Sequence, residues 1–252
     1  MRILLFLFIF VLTGPGVRAG ALLPACLLQG GFTASDAQVE KARELRLKSG
    51  ETILLVGIEV PETIAARAKN AAEEMLRENV IRYLPITAGA DRYGRIPAEV
   101  ILQAHGEQWL QGILVSQGLA VAAPAGVKTA CAVELMNLER AARQSREGLW
   151  SQPETIQLNA TDTAALQAAG GQFRIVEGKI TNVGERDYAT FLNFGYKSFS
   201  VMVTKKFRDA VNESHPLAAL KGKRVRVRGI IAAGPPPRLT LERPEALEVV
   251  DE

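Results

Sequence analysis

At 252 residues the chain is too long for one small barrel and long enough for two compact domains. A composition of 48% hydrophobic and 23% charged residues excludes a low-complexity or disordered chain. The formal charge of +3 is too small to argue by itself for a polyanionic partner, so any such argument must be local.

The N-terminus reads as a targeting segment. Arg2 precedes an apolar run over residues 3–12, Gly14-Pro15-Gly16 breaks any helix, and Ala19 and Ala21 offer small residues at a cut. The run falls short of the roughly 20 residues that cross a bilayer. A cleaved signal over residues 1–21 is expected, and with it an exported, periplasmic or secreted protein with no membrane span in its mature form. Lipoprotein anchoring at Cys26 is the alternative, although that cysteine lies far from the apolar run. Removing residues 1–19, with Arg2 and Arg18, takes the formal charge from +3 to +1. The chain has two cysteines, Cys26 and Cys131, and an even count in an oxidising compartment suggests one bridge. It would close a loop of about 100 residues, worth a few kcal/mol on the loop-entropy model.

Residues 22–40 read as irregular. Residues 43–48 and 52–58 read as a hairpin around Ser49-Gly50. Pro61 stops the second strand, and Thr63 is placed to cap a helix running to about Arg77. Residues 80–86 and 96–103 read as strands around a turn at 88–91. Helices follow at 107–117, ended by Gly118, and at 132–146, closed by Gly148 with Leu149-Trp150 packing back. Residues 152–171 are polar and Gly/Ala-rich, the composition of a linker with a short helical turn. A second block of strands occupies 173–183, 188–194, 199–204, 224–232 and 238–249, with a short helix at 205–212. Five strands with one helix between the third and fourth is the order of an OB barrel. The domains expected are 22–151 and 172–252, the second an OB-like five-stranded β-barrel.

Three segments of the first half resemble the staphylococcal nuclease (thermonuclease) family. They are Leu54-Leu55-Val56-Gly57-Ile58-Glu59-Val60-Pro61-Glu62; Asp91-Arg92-Tyr93-Gly94-Arg95; and Gln117-Gly118-Leu119-Ala120 followed by a helix and Gly148-Leu149-Trp150. They fall in order across residues 41–151. The resemblance implies an OB barrel with added helices for the first domain. It also implies a Ca2+ site that cleaves phosphodiesters with two aspartates on the ion, a glutamate activating water, and two arginines on the phosphate. Such chemistry needs hard oxygen ligands, a base near the water and cations aimed at the transition state.

By this resemblance Glu62 stands at the general-base position and Arg95 at that of the second phosphate-binding arginine. Glu59 replaces the second calcium aspartate, its carboxylate moved by more than about 1 Å by the extra methylene. The first arginine position holds Leu54. The first metal aspartate falls on Arg43; a one-residue slip to Glu44 conflicts with the alternation of Leu45 and Leu47. A like-charge pair about 5 Å apart at an effective dielectric of about 20 costs roughly 3 kcal/mol, so calcium affinity should fall by about two orders of magnitude. Loss of a transition-state cation is worth another factor on the order of 100. The catalytic remnant is therefore Glu62 and Arg95, with Glu59 a doubtful metal ligand. The bland alternatives are that Glu62 merely opens a helix and that Arg95 serves an internal salt bridge. His105 and His215 are isolated and read as surface or loop residues.

In the second half, Lys221-Gly222-Lys223-Arg224-Val225-Arg226-Val227-Arg228 is the densest basic run. Alternation puts Arg224, Arg226 and Arg228 on one strand face and Val225 and Val227 on the other. That face is either a solvated barrel exterior or a cationic track for nucleic acid, with Tyr188, Phe191 or Tyr196 as stacking candidates. Three functions compete. The chain is a weakly or non-enzymatic binding protein on a nuclease fold, an active Ca2+-dependent nuclease with a rearranged metal site, or a cell-envelope interaction module.

Overall fold

The computed structural model of the chain describes residues 23–28, 32–34, 36–77, 79–104, 106–196 and 198–250; the expected signal segment at 1–21 and His105 lie outside them. The first half carries β1 (Phe32–Ala34), β2 (Ala37–Lys41), β3 (Glu44–Leu47), β4 (Thr52–Leu55), β5 (Ile58–Glu59), α1 (Ala65–Leu76), β6 (Ile81–Pro85), β7 (Arg95–Leu102), β8 (Gln108–Trp109), α2 (Leu110–Ser116), β9 (Val121–Ala122) and α3 (Thr129–Gln144). The second half carries β10 (Gln157–Asn159), α4 (Thr163–Ala168), β11 (Phe173–Lys179), β12 (Asn182–Glu185), β13 (Ala189–Asn193), β14 (Ser200–Thr204), α5 (Lys205–Ser214), β15 (Arg224–Ala232), β16 (Arg238–Leu241) and β17 (Leu247–Val249). No helix among the described residues is long and apolar enough to cross a membrane.

The first sheet runs β1-β6-β7-β4-β3-β2 and the second β10-β11-β15-β16-β14-β13-β12. The two share one topology. In each, a three-strand meander (β2-β3-β4; β12-β13-β14) is followed by a helix (α1; α5), and the strand after next (β7; β16) pairs in parallel with the third. Alternation drives the meanders: Leu45 and Leu47 are buried while Arg46 is exposed, and Val201 and Val203 are buried on β14. On α1, Ala68, Ala72 and Leu76 fall at helical spacing and are buried.

Several expectations shift. Within the stretch 22–40 read as irregular, residues 32–34 form β1 and residues 37–40 belong to β2, because β6 and β3 supply their hydrogen-bond partners. Thr63 does not cap α1; a 3-10 turn over Glu62–Ile64 precedes the helix, which has no side-chain cap. The stretch 152–171 carries β10, paired in parallel with β11, and α4, capped by Asp162 accepting from the Ala165 amide at 3.0 Å. It is thus built into the second sheet.

Gly118 and Gly148 interlock at the end of α3. The Leu149 amide donates to the Gly118 carbonyl at 3.0 Å, and a Cβ on Gly118 would lie 2.1 Å from the Glu147 oxygen. Both glycines have positive φ, so the separated Gln-Gly-Leu and Gly-Leu-Trp strings answer to one backbone contact. Nearby, Cys26 and Cys131 form the expected disulfide, which ties the segment before β1 to α3.

The halves pack on each other. Ile64, Val121, Ala142, Leu149 and Trp150 of the first form one apolar cluster with Ile156 and Ile175 of the second.

Candidate functional site

Arg43 lies in the tight turn between β2 and β3, and Glu59 ends β5 where Pro61 halts the strand. The turn aims the guanidinium across the sheet end. Arg43 Nη1 donates to the Ile58 carbonyl at 2.8 Å and sits 3.1 Å from Glu59 Oε2. Burial raises the Glu59 carboxyl above its ordinary range despite the nearby Arg43 charge. Glu62 is exposed on the 3-10 turn beyond Pro61. Leu54, Glu59 and Glu62 all line a cleft of about 870 Å³ between the halves, with Phe173, Arg174, Ile230, Thr240 and Glu242 among its residues from the other side.

Arg95 does not line this cleft. Asp91 opens the turn before β7 and accepts the amides of Tyr93 and Arg95 at 2.8 and 3.0 Å. Its other oxygen accepts from Arg95 Nε and Nη2 at 2.9 and 2.7 Å, a bidentate pair. Arg95 Nη1 donates to Glu44 Oε1 at 2.7 Å, and Lys41 Nζ lies 2.9 Å from Glu44 Oε2. Hydrogen bonding to Arg95 holds Asp91 below its usual range. Burial opposes ionisation of Glu44, but Lys41 and Arg95 outweigh it and lower its pKa. Each nitrogen of the Arg95 guanidinium is therefore engaged internally.

These residues do not fit a calcium ion. Calcium takes six to eight oxygen ligands. Of the two positions to which the resemblance assigns its aspartates, one holds a guanidinium and the other a carboxylate already bound to that guanidinium. Among the described residues no group of three His, Cys, Asp or Glu side chains is placed to hold a metal ion.

The expected alternation on β15 holds, with Val225 and Val227 fully buried, but the arginine face does not meet solvent as a track. Arg226 donates to Glu177 Oε2 at 2.7 Å and Arg224 to Glu177 Oε1 at 3.2 Å. Arg228 is only 2% exposed and inserts into the first half. Its Nη1 donates to Glu139 Oε2 at 2.7 Å and to the Ala122 carbonyl at 3.1 Å, and its Nη2 donates to Glu248 Oε2 at 2.9 Å. Arg143 of α3 reaches Glu248 at 2.8 Å. Burial would lower the Arg228 pKa, but Glu139 and Glu248 outweigh it, so the residue stays charged. Glu139, Arg143 and Glu248 were not singled out from the sequence. The available signal was an acid on the apolar stripe of α3, four positions after Leu135.

Tyr188 stands 64% exposed in the turn between β12 and β13, against Phe191 at 6.0 Å between ring centroids. His215 ends α5 half-buried, its Nε2 3.2 Å from the Pro244 carbonyl.

A helix follows the first three-strand meander, and the acid–proline–acid corner at Glu59–Glu62 begins beside the turn of the first hairpin. Residues 52–152 match the family model of staphylococcal nuclease homologues, so this stretch is staphylococcal-nuclease-like. Among curated proteins none matches the chain.

Proposed function

We propose that this protein is an exported nuclease homologue, with an internal ion pair in place of its calcium site, that works by binding nucleic acid or another ligand rather than by calcium-dependent cleavage. The observation that carries this reading is the 3.1 Å contact between Arg43 and Glu59. A guanidinium supplies the positive charge that a metal would, and Leu54 offers no cation to a phosphate. Arg95, bound to Asp91 and Glu44, is not free to supply one either.

In this reading both sheets close as OB-type barrels. The ends of the first path, β1 and β2, are successive strands of the chain, and so are β12, at one end of the second path, and β11, next to its other end, which supports closure. Residues 22–151 and 172–252 are the two domains, and residues 1–21 are the export signal. The disulfide is compatible with an oxidising destination.

The test is a nuclease assay on the purified mature chain with single-stranded DNA and RNA, with and without millimolar Ca2+, alongside calorimetric calcium titration. No calcium-stimulated cleavage and no calcium binding are expected. Arg43→Asp should gain calcium affinity, because it removes a cation and adds a carboxylate. Calcium-dependent cleavage by the native chain, abolished by Glu62→Gln, would overturn the reading.

A further inference from the structure

The outer face of the second sheet carries an exposed aromatic and cationic surface well away from Arg43 and Glu59. On β13, Leu192 points inward and Phe191 outward. Phe191 lies opposite Gly184 of β12 and Met202 of β14, and Met202 lies opposite Thr240 of β16. Gly184 puts no side chain over the ring. Tyr188 packs edge-on against Phe191 at 6.0 Å with its own ring 64% exposed. The Arg238 guanidinium sits 5.8 Å from the Phe191 ring centre.

Three of the cations around these rings lack a carboxylate partner among the described residues. Arg224, Arg226, Arg228 and Arg95 all pair with carboxylates. Arg186 and Arg208 instead donate to the carbonyls of Glu185 and Arg186, and no carboxylate lies within ion-pair distance of Arg186, Arg208 or Arg238 among the described residues. Helix α5 begins beside Tyr188 with Lys205 and Lys206, and the Lys205 amide donates to the Tyr188 carbonyl at 2.9 Å. No acid stands in its first turn, so the positive end of the helix adds to the local potential. Glu185 and Asp187 are the acids of the same hairpin, both exposed.

We propose that this face of the second sheet binds single-stranded nucleic acid, with Tyr188 and Phe191 as stacking platforms and Arg186, Arg208 and Arg238 drawing the backbone. Flat rings recognise bases and unpaired guanidinium groups recognise phosphates, the two elements of sequence-tolerant single-strand recognition. The inference rests on the binding reading above and assigns its ligand and surface.

The experiment is fluorescence anisotropy of a labelled oligothymidylate with the full mature chain in EDTA, over a series of salt concentrations. Affinity should fall steeply as salt rises. Tyr188→Ala and Arg238→Ala should each weaken binding about tenfold or more, while Arg224→Ala, whose guanidinium is paired with Glu177, should change it less than about twofold. Phe191→Leu keeps the half-buried side chain apolar and tests stacking without a cavity. Absence of binding by the native chain, or unchanged affinity in Tyr188→Ala and Phe191→Leu, overturns the proposal. Because calcium is absent throughout, neither result bears on whether the chain cleaves nucleic acid.

Discussion

Glu99 on β7 points into the first core, 3% exposed, with Trp109 Nε1 donating to its Oε2 at 2.9 Å and its Oε1 without a partner. Burial raises its carboxyl to about 7, the Trp109 hydrogen bond and distant Lys128 only partly opposing the shift. The native state therefore holds a proton that the unfolded chain releases near pH 4.5. This contribution to stability is complete below the unfolded pKa and is lost as pH rises through 7, an effect on the order of 3 kcal/mol. Urea unfolding at pH 5 and pH 8 should show Glu99→Gln gaining on the native chain at the higher pH. Parallel pH dependences in the two proteins would remove Glu99 as the cause. At Arg95 the charges are arranged in the opposite sense. Its contacts hold Asp91 and Glu44 ionised, so Arg95→Ala should loosen the 91–95 turn and raise both carboxyl pKa values, measurable by NMR titration.

Helix α3 and strands β15 and β17 meet through Arg228, Glu139, Arg143 and Glu248. A buried ion pair contributes little net stability against an apolar replacement, but removing one partner strands the other without solvent. Arg228→Met should therefore cost about 3–5 kcal/mol in denaturant unfolding. Adding Glu139→Gln should restore part of that loss, because it removes the stranded charge, can still accept the Ala122 amide that Glu139 holds at 2.7 Å, and leaves Glu248 as the partner of Arg143. A double variant as unstable as the sum of the single ones would mean the charges act independently. The same geometry explains why β15 reads as an exposed cationic strand. Its alternation is that of a surface strand, and the surface it faces is the other half of the protein.

The disulfide and the seam between the halves act on the whole molecule. Cys26 and Cys131 are 105 positions apart, so their bond restricts much of the unfolded chain, an effect of about 2–4 kcal/mol. The midpoint of unfolding should fall accordingly when the mature protein is reduced, with thiol titration before and after reduction as the check. The apolar cluster joining Trp150 to Ile175 and the ionic network beside it make independent opening of one half expensive. Tryptophan fluorescence, which reports Trp109 and Trp150 in the first half, should unfold together with hydrogen exchange on β13 and β14. Two separated transitions would mean that the halves fold on their own.

Local chemistry was enough to read much of this protein. Apolar alternation placed the β3-β4 hairpin and strands β13 and β14 of the second sheet, although the strand read over 173–183 is two, β11 and β12, and glycines marked the ends of α2 and α3. Three short strings pointed to the nuclease-like half, and the cysteine count led to the bridge. Arg43 and Leu54 at the expected ligand and arginine positions were visible as substitutions. Tertiary structure decided what those residues touch. Whether Arg43 points to solvent or to Glu59, whether Arg95 meets a phosphate or Asp91 and Glu44, and whether Arg228 lies outside or is buried against Glu139 all depend on partners up to 89 positions away. Side-chain periodicity determines which face of a strand a residue occupies, because that is a property of the local backbone. What covers that face depends on how separate elements dock, and no short stretch of sequence carries that information.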